Sequence, residues 1–242
     1  MTREDPTAFF TLHRDLPREG PGEAADVHWA IDHLGLSGPA KILDAACGPG
    51  ADLEVLAVAL PTAQVTGIDK VAHFVEAARA RVARFGDRVT VEVADMQTPK
   101  GRYDLIWCAG ALYFLGVTEG LRGWRAALQP GGAIAFSEPV LLDIPPDAAV
   151  AAFWQDYPQI TDLDGIVARV EAAGFAVQAH RMIVGAPWES YLAPMQARID
   201  TLRDQAPDPL LCSTLDSHQR EIDGWRAAPD QIAYALLIVT PQ

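Results

Sequence analysis

Cysteine is scarce in this chain of 242 residues, with one each at 47, 108 and 212 and no Cys-x-x-Cys pair. A disulfide framework and a thiolate zinc cage are thereby excluded as sources of stability, and reduced thiols suit a cytosolic setting. Histidine is equally unhelpful for metals. The residues at 13, 28, 33, 73, 180 and 218 form no His-x-His or His-Glu-x-x-His spacing, so no metal is expected. Basic residues are few: 19 Lys and Arg face 32 Asp and Glu, a formal net charge of −13. So acidic a surface repels phosphate backbones and anionic membranes, which argues against nucleic-acid and membrane partners. The densest basic run, RARVARFGDR at 79–88, reads as a solvated helix face. No apolar window approaches the ~18 residues of a membrane-spanning helix. The charged N-terminal stretch MTREDPTAFFTLHRDLPREG has no secretory apolar run, so a cytoplasmic protein is expected.

What is present is an alternation of short β-branched runs with longer amphipathic stretches, the pattern of a parallel sheet covered by helices. Strands are predicted at 41–45 (KILDA), 63–69, 88–95, 103–110 and 133–139, with helices at 51–60, 71–86 and 117–132, the last stopped by Pro130 and Gly131. A proline-broken aromatic segment follows 139. Then come a helix at 163–175, a sixth strand at 176–184, a helical stretch over 187–228 interrupted at Pro207 and Pro209, and a last strand at 231–240. This is an α/β chain read as one domain over 1–242. Residues 1–38 form an N-terminal lid, 39–139 a binding core, and 140–161 and 186–229 cap insertions. In open α/β sheets the ligand crevice lies at the carboxyl ends of the strands.

Three features sit at such ends. DAACGPG, 44–50, places Gly48 and Gly50 where the backbone can turn sharply and a helix N-terminus begins. Asp69, 19 residues beyond Gly50, can accept both hydrogen bonds of a ribose diol; Lys70 stands beside it. Asp95 can accept from an exocyclic amine while the Met96 N–H donates to a ring nitrogen, together reading an adenine. A nicotinamide dinucleotide site would show Gly-x-Gly-x-x-Gly, whereas here the register is Ala46-Cys47-Gly48-Pro49-Gly50-Ala51. Asp44 inside the turn would repel a pyrophosphate but would welcome an ammonium. No Gly-Lys-Ser/Thr follows, which removes a P-loop. A ligand with adenosine at one end and an amino acid at the other, S-adenosylmethionine, fits all three features.

From about residue 41 to 138 the sequence resembles the class I S-adenosylmethionine-dependent methyltransferases. The resemblance implies a Rossmann-like seven-stranded sheet, mostly parallel, with QIAYALLIVT as an antiparallel last strand and helices on both faces. That family commonly has glycine where Ala46 stands and uses its backbone carbonyl, which alanine permits at negative φ. REGPGE (18–23), DLIWCAGALYFLG (104–116), FWQDYPQI (153–160) and APWESYLAP (186–194) are similar to a subgroup of small bacterial methyltransferases, mostly without assigned substrates. Something close to WSEGAIYNIG is expected there after strand four. This chain has Ala109 at the acidic position and Phe114 after the tyrosine, so substrates of relatives do not carry over.

On this reading Asp44 meets the methionine ammonium, Cys108 lines the sulfonium region with its backbone, and Arg18 offers its guanidinium fork to the methionine carboxylate. Tyr113 and Glu138 are the candidate catalytic groups, and Trp188 and Tyr191 candidate walls of the acceptor pocket, with Trp154 and Tyr157 from the aromatic insertion. His13 and His28 are weaker candidates. The partner is a small-molecule methyl acceptor; a homodimer is compatible with the sequence but not required by it. Two other readings stay open: a non-catalytic S-adenosylmethionine-binding protein, and an NAD(P)-dependent oxidoreductase.

Overall fold

A computed structural model describes residues 6–242. Its centre is a seven-stranded sheet of β1 (Lys41–Ala45), β2 (Gln64–Asp69), β3 (Val89–Val93), β4 (Tyr103–Cys108), β5 (Leu128–Leu141), β6 (Phe175–Ile183) and β7 (Ile232–Pro241). The order is β3-β2-β1-β4-β5-β7-β6. β7 runs antiparallel between β5 and β6, and the β1–β5 pairs are parallel. The continuous apolar runs are explained by position: β1, β4 and β7 are buried on both faces, whereas β3, at the sheet edge, buries Val89 and Val91 and exposes Thr90.

Helices cover both faces. α1 (Pro6–His13), α2 (Ala24–Leu34), α3 (Ala51–Ala59), α4 (Ala72–Val82), α6 (Ala148–Phe153), α8 (Ala186–Arg203) and α9 (Pro209–Ala227) lie on one side, around a core holding Leu12, Leu56, Trp107, Trp188, Met195 and Ile222. α5 (Val117–Trp124) and α7 (Leu163–Ala172) cover the other, with Phe136, Trp124 and Phe175 between them and the sheet. Each such side chain, fully buried, contributes about 1.5–3 kcal/mol. None of the described helices is long and apolar enough to cross a membrane.

Several boundaries differ from the sequence reading. The helix expected over 117–132 ends at Trp124; a 3-10 turn, Arg125–Ala127, follows, and β5 has begun by Leu128. Leu128 is buried beside Tyr103, and the pairing is irregular up to Leu105. Pro130 and Gly131 therefore lie within a strand instead of stopping a helix. A Cβ on Gly132 would stand 2.8 Å from the Tyr103 carbonyl oxygen, an approach that only glycine permits. β3 stops at Val93 and β4 at Cys108, which moves Asp95, Ala109 and Gly110 into loops. α8 and α9 divide the 187–228 stretch at the expected prolines, with Asp208 capping α9 through Leu210 N and Leu211 N.

Candidate active site

The glycine turn after β1 is shaped by close approaches. Gly50 has φ 83°, and a Cβ there would stand 3.1 Å from Ala78 Cα on α4, so the packing of α3 on α4 requires its bareness. Gly48 has φ 52°, with Glu19 Cγ 3.3 Å from where a Cβ would be. Ala46 corrects the expectation of a negative φ: it sits at φ 61°, in the left-handed region where a Cβ crowds its own carbonyl. The turn needs that handedness to pass from β1 to Cys47, whose N–H donates to the Ile68 carbonyl.

Beneath the turn Asp44 is 2% exposed, and its Oδ2 has no hydrogen-bond partner. Burial pushes its carboxyl far above the ordinary range, with the nearby charges of Asp52 and Asp69 adding to the effect and Arg18 opposing it. With no partner for that oxygen, burial holds the carboxyl in its neutral form unless a donor or a cation is brought to it. Asp69 is anchored differently: Oδ2 accepts from Gly48 N at 3.0 Å and Oδ1 from Val71 N at 2.8 Å. Burial raises its pKa, against the pull of these amides and of Lys70. Each oxygen keeps a second lone pair for a ligand hydroxyl. Asp95 lies exposed in the next loop, with Oδ1 accepting from Gln97 N, and the Met96 carbonyl takes the Trp124 indole N–H at 2.7 Å.

The N-terminal segment closes over this turn. Arg18 donates to Asp52 Oδ1 (3.1 Å), to the Gly20 carbonyl (2.7 Å) and to the Gly22 carbonyl. Asp52 Oδ2 accepts the Trp107 indole N–H at 3.0 Å. The guanidinium is thus held at the start of α3. Gly22 N donates to the Pro187 carbonyl, tying the segment to α8. Sequence reasoning assigned no role to Asp52 or Glu19, and no spacing signals them. Glu19 is held 2.6 Å from His13 Nδ1, and His13 Nε2 lies 3.0 Å from His218 Nε2. Burial, reinforced by Asp69, raises Glu19 to about 9.

Beyond β4 and β5 a second group assembles. Cys108 is wholly buried, and burial pushes its thiol up, so the side chain is inert and only its backbone is on offer. Glu138 is 1% exposed; Oε1 accepts from Tyr157 Oη at 2.8 Å and Oε2 has no partner. Burial raises it to about 7, against the Tyr157 hydrogen bond and the Arg169 charge. The Tyr113 and Tyr157 ring centroids are 5.7 Å apart. Burial, with Glu221 and Glu138 nearby, keeps the Tyr113 phenol protonated. A hollow of about 210 Å³ is lined by Glu138, Tyr157, Thr118, Gln159 and Arg169. A wider one, about 700 Å³, opens between residues 97–101 and α5 beside the exposed Phe114, away from the glycine turn. Trp188 and Tyr191 are buried in α8. The Trp188 indole donates to the Ile183 carbonyl and its ring meets Tyr234 edge-on at 5.2 Å, a packing arrangement. Tyr234, on β7, was not foreseen as part of this group. His28 is exposed on α2, away from both groups of residues described here.

Comparison with known proteins follows this geometry. A profile of the methyltransferase-domain family matches residues 42–132. Trans-aconitate 2-methyltransferase of Streptomyces avermitilis is 35% identical over 128 residues, covering 49% of this chain and 48% of that protein. The protein of the same name from Paracidovorax citrulli is 30% identical over 181 residues, 72% of this chain and 64% of the relative. The chain thus spans between about half and under two thirds of these relatives. Among solved structures, a SAM-dependent methyltransferase from Geobacter sulfurreducens, crystallised with S-adenosyl-L-homocysteine, superposes with a TM-score of 0.85 at 21% identity, covering 99% of each chain.

Proposed function

We propose that this chain, which belongs to the class I S-adenosylmethionine-dependent methyltransferase family, transfers a methyl group from S-adenosylmethionine to a small-molecule acceptor. The observation that carries the reading is Asp44: a buried carboxylate oxygen without a partner, under a glycine turn, at the end of the first strand. The methionine ammonium supplies the missing cation. Gly48 and Gly50 let the ligand approach the backbone, with the Ala46 carbonyl beside them. Asp69, with Lys70 next to it, takes the ribose hydroxyls; Asp95 and the Met96 N–H read the adenine; the Cys108 backbone borders the sulfonium. Arg18 reaches the methionine carboxylate only by giving up part of its hold on Asp52, and otherwise pins the lid. When bound, S-adenosylmethionine supplies a methyl carbon already activated by a sulfonium. The protein's own work is to hold an acceptor in line and exclude water, tasks suited to the 6–38 lid and to the cap built from α6, α8 and α9. Tyr113 and Glu138 are the polar groups placed to orient the acceptor. Free thiols at Cys47, Cys108 and Cys212 agree with a cytoplasmic setting.

Calorimetric titration with S-adenosylhomocysteine and, separately, with NAD tests the reading. Heat is expected from the first alone. NAD binding without S-adenosylhomocysteine binding would replace it with a dinucleotide enzyme. S-adenosylhomocysteine binding with no turnover on any acceptor would make the chain a binding protein.

A further inference from the structure

One acid of the lid takes no part in the function proposed above. Glu19 lies over the glycine turn, with Cγ 3.3 Å from where a Cβ on Gly48 would be, and its side chain is mostly buried. The same Gly48 gives its N–H to Asp69 Oδ2 at 3.0 Å. Two carboxyl groups, one ending β2 and one from the segment before α2, therefore flank a single residue of the turn. Their nearness is felt electrostatically, since Asp69 adds to burial in raising Glu19 to about 9. The two oxygens of Glu19 differ in what they meet. Oε2 stands 2.6 Å from His13 Nδ1 on α1, and His13 Nε2 is 3.0 Å from His218 Nε2 on α9. Oε1 is buried and has no hydrogen-bond partner among the described residues. It is an acceptor waiting for a donor that the chain does not supply. An anion brought there would meet the like charge of Asp69 and is disfavoured. A metal ion needs several ligands, and the described residues contain no group of three His, Cys, Asp or Glu side chains placed to hold one. An ammonium is matched, in the function proposed above, to the buried Asp44. A neutral hydroxyl remains, and a ribose offers two side by side.

We propose that Glu19 is a further ligand-binding residue: its Oε1 accepts a hydrogen bond from a ribose hydroxyl of the nucleoside held at Asp69, so that the lid is fastened by the sugar it covers. The inference rests on the cofactor half of the reading above. Asp69 then need not take both hydroxyls, because the acid beside it takes one. The histidines keep Oε2 and so leave Oε1 as the atom turned over to the ligand. Arg18 ties the lid to α3 and the Gly22 N–H ties it to α8. Glu19 adds a tie made through the ligand, which gives the lid a part in recognition as well as in excluding water.

Calorimetry and amide hydrogen exchange on the whole chain test this, with adenosine, 2′-deoxyadenosine, 3′-deoxyadenosine and S-adenosylhomocysteine as probes. Glu19→Ala is expected to lower the affinity for adenosine and for S-adenosylhomocysteine alike by about 10-fold or more, the loss of one hydrogen bond to a buried carboxyl. The deoxynucleoside that lacks the hydroxyl taken by Glu19 is expected to bind wild type and variant within about 2-fold of each other, since the interaction is already gone. In the wild type, saturating adenosine is expected to slow amide exchange over 15–22 more than that deoxynucleoside does, a comparison that needs no variant. An equal loss for all three nucleosides, a loss confined to S-adenosylhomocysteine, lid exchange indifferent to the sugar, or no binding of adenosine would each overturn the proposal. Adenosine binding with this hydroxyl dependence, by a chain that ignores S-adenosylhomocysteine, would uphold the role of Glu19 while removing the methyl-donor reading.

Discussion

The two halves of the site are built on different plans. At the ends of β1 and β2, polar groups are locked to nearby backbone: Asp69 to Gly48 and Val71, and the turn to Ile68. Its members lie within a few dozen residues of one another. At the ends of β4 and β5, Tyr113, Glu138 and Tyr157 converge from separate elements, held by the packing of the two tyrosine rings and a single hydrogen bond, while Tyr234 packs on Trp154 and Trp188. A cofactor common to many proteins can be held by backbone geometry that barely varies. An acceptor peculiar to one protein needs side chains that can be exchanged without disturbing the turn.

The sharpest way to break the first half is Gly50→Ala. A methyl would meet Ala78 Cβ at 3.0 Å from a residue already at φ 83°, so the loss of stability is expected to be about 2–5 kcal/mol, combining left-handed strain with overpacking. Urea denaturation measures it; a loss under 1 kcal/mol would mean that α3 and α4 separate easily.

The second half is best probed through pH. Glu138 has its folded pKa raised to about 7 from an ordinary 4.5, so its full contribution is present below about 4.5 and is lost as pH rises toward 7. Glu19, raised to about 9, extends the decline upward. Glu138→Gln is therefore expected to match the wild type near pH 4 and to exceed it at pH 8 by up to about 3 kcal/mol. Urea midpoints at the two pH values check it; a variant less stable at pH 8 would show that the carboxylate is paired in the folded chain.

Asp69→Ala sharpens the contrast from the cofactor side. It strips partners from the Gly48 and Val71 amides and, on the function proposed above, from the ribose, and S-adenosylhomocysteine affinity is expected to fall by about 1–3 kcal/mol. Calorimetry reads this directly. The smallest effect belongs to Ala46→Gly. Relief of the left-handed strain is partly offset by the entropy of an added glycine, leaving a gain of at most about 1 kcal/mol in thermal or urea unfolding.

Much of the first half was legible because its signals are local. DAACGPG, the aspartate ending strand two and the acid after strand three each lie at a strand end that periodicity alone locates. The apolar runs of β1, β4 and β7 announced burial on both faces, and the prolines at 207 and 209 marked the break between α8 and α9. The misreadings are also local in cause. Pro130 and Gly131 look like a helix stop, but Leu128 must reach the sheet, so the chain becomes strand before them. At Ala46 the residue type suggested a negative φ, and the path of the turn demanded the other sign.

Composition and strand rhythm determined the α/β class, and the spacing of Asp44, Gly48, Gly50 and Asp69 placed these residues together at the carboxyl ends of β1 and β2. They could do so because a parallel sheet and a glycine turn are made by neighbours in the chain. Only the tertiary structure decided that Asp52 ties Arg18 and Trp107 together, that Glu19 faces His13 over Gly48, and that Glu138 lies buried with one oxygen unpaired beside Tyr157. Those contacts join residues up to 55 positions apart within the site, and 205 apart for the histidine pair. No local pattern encodes them, since their energies depend on burial and on which charges the fold brings together.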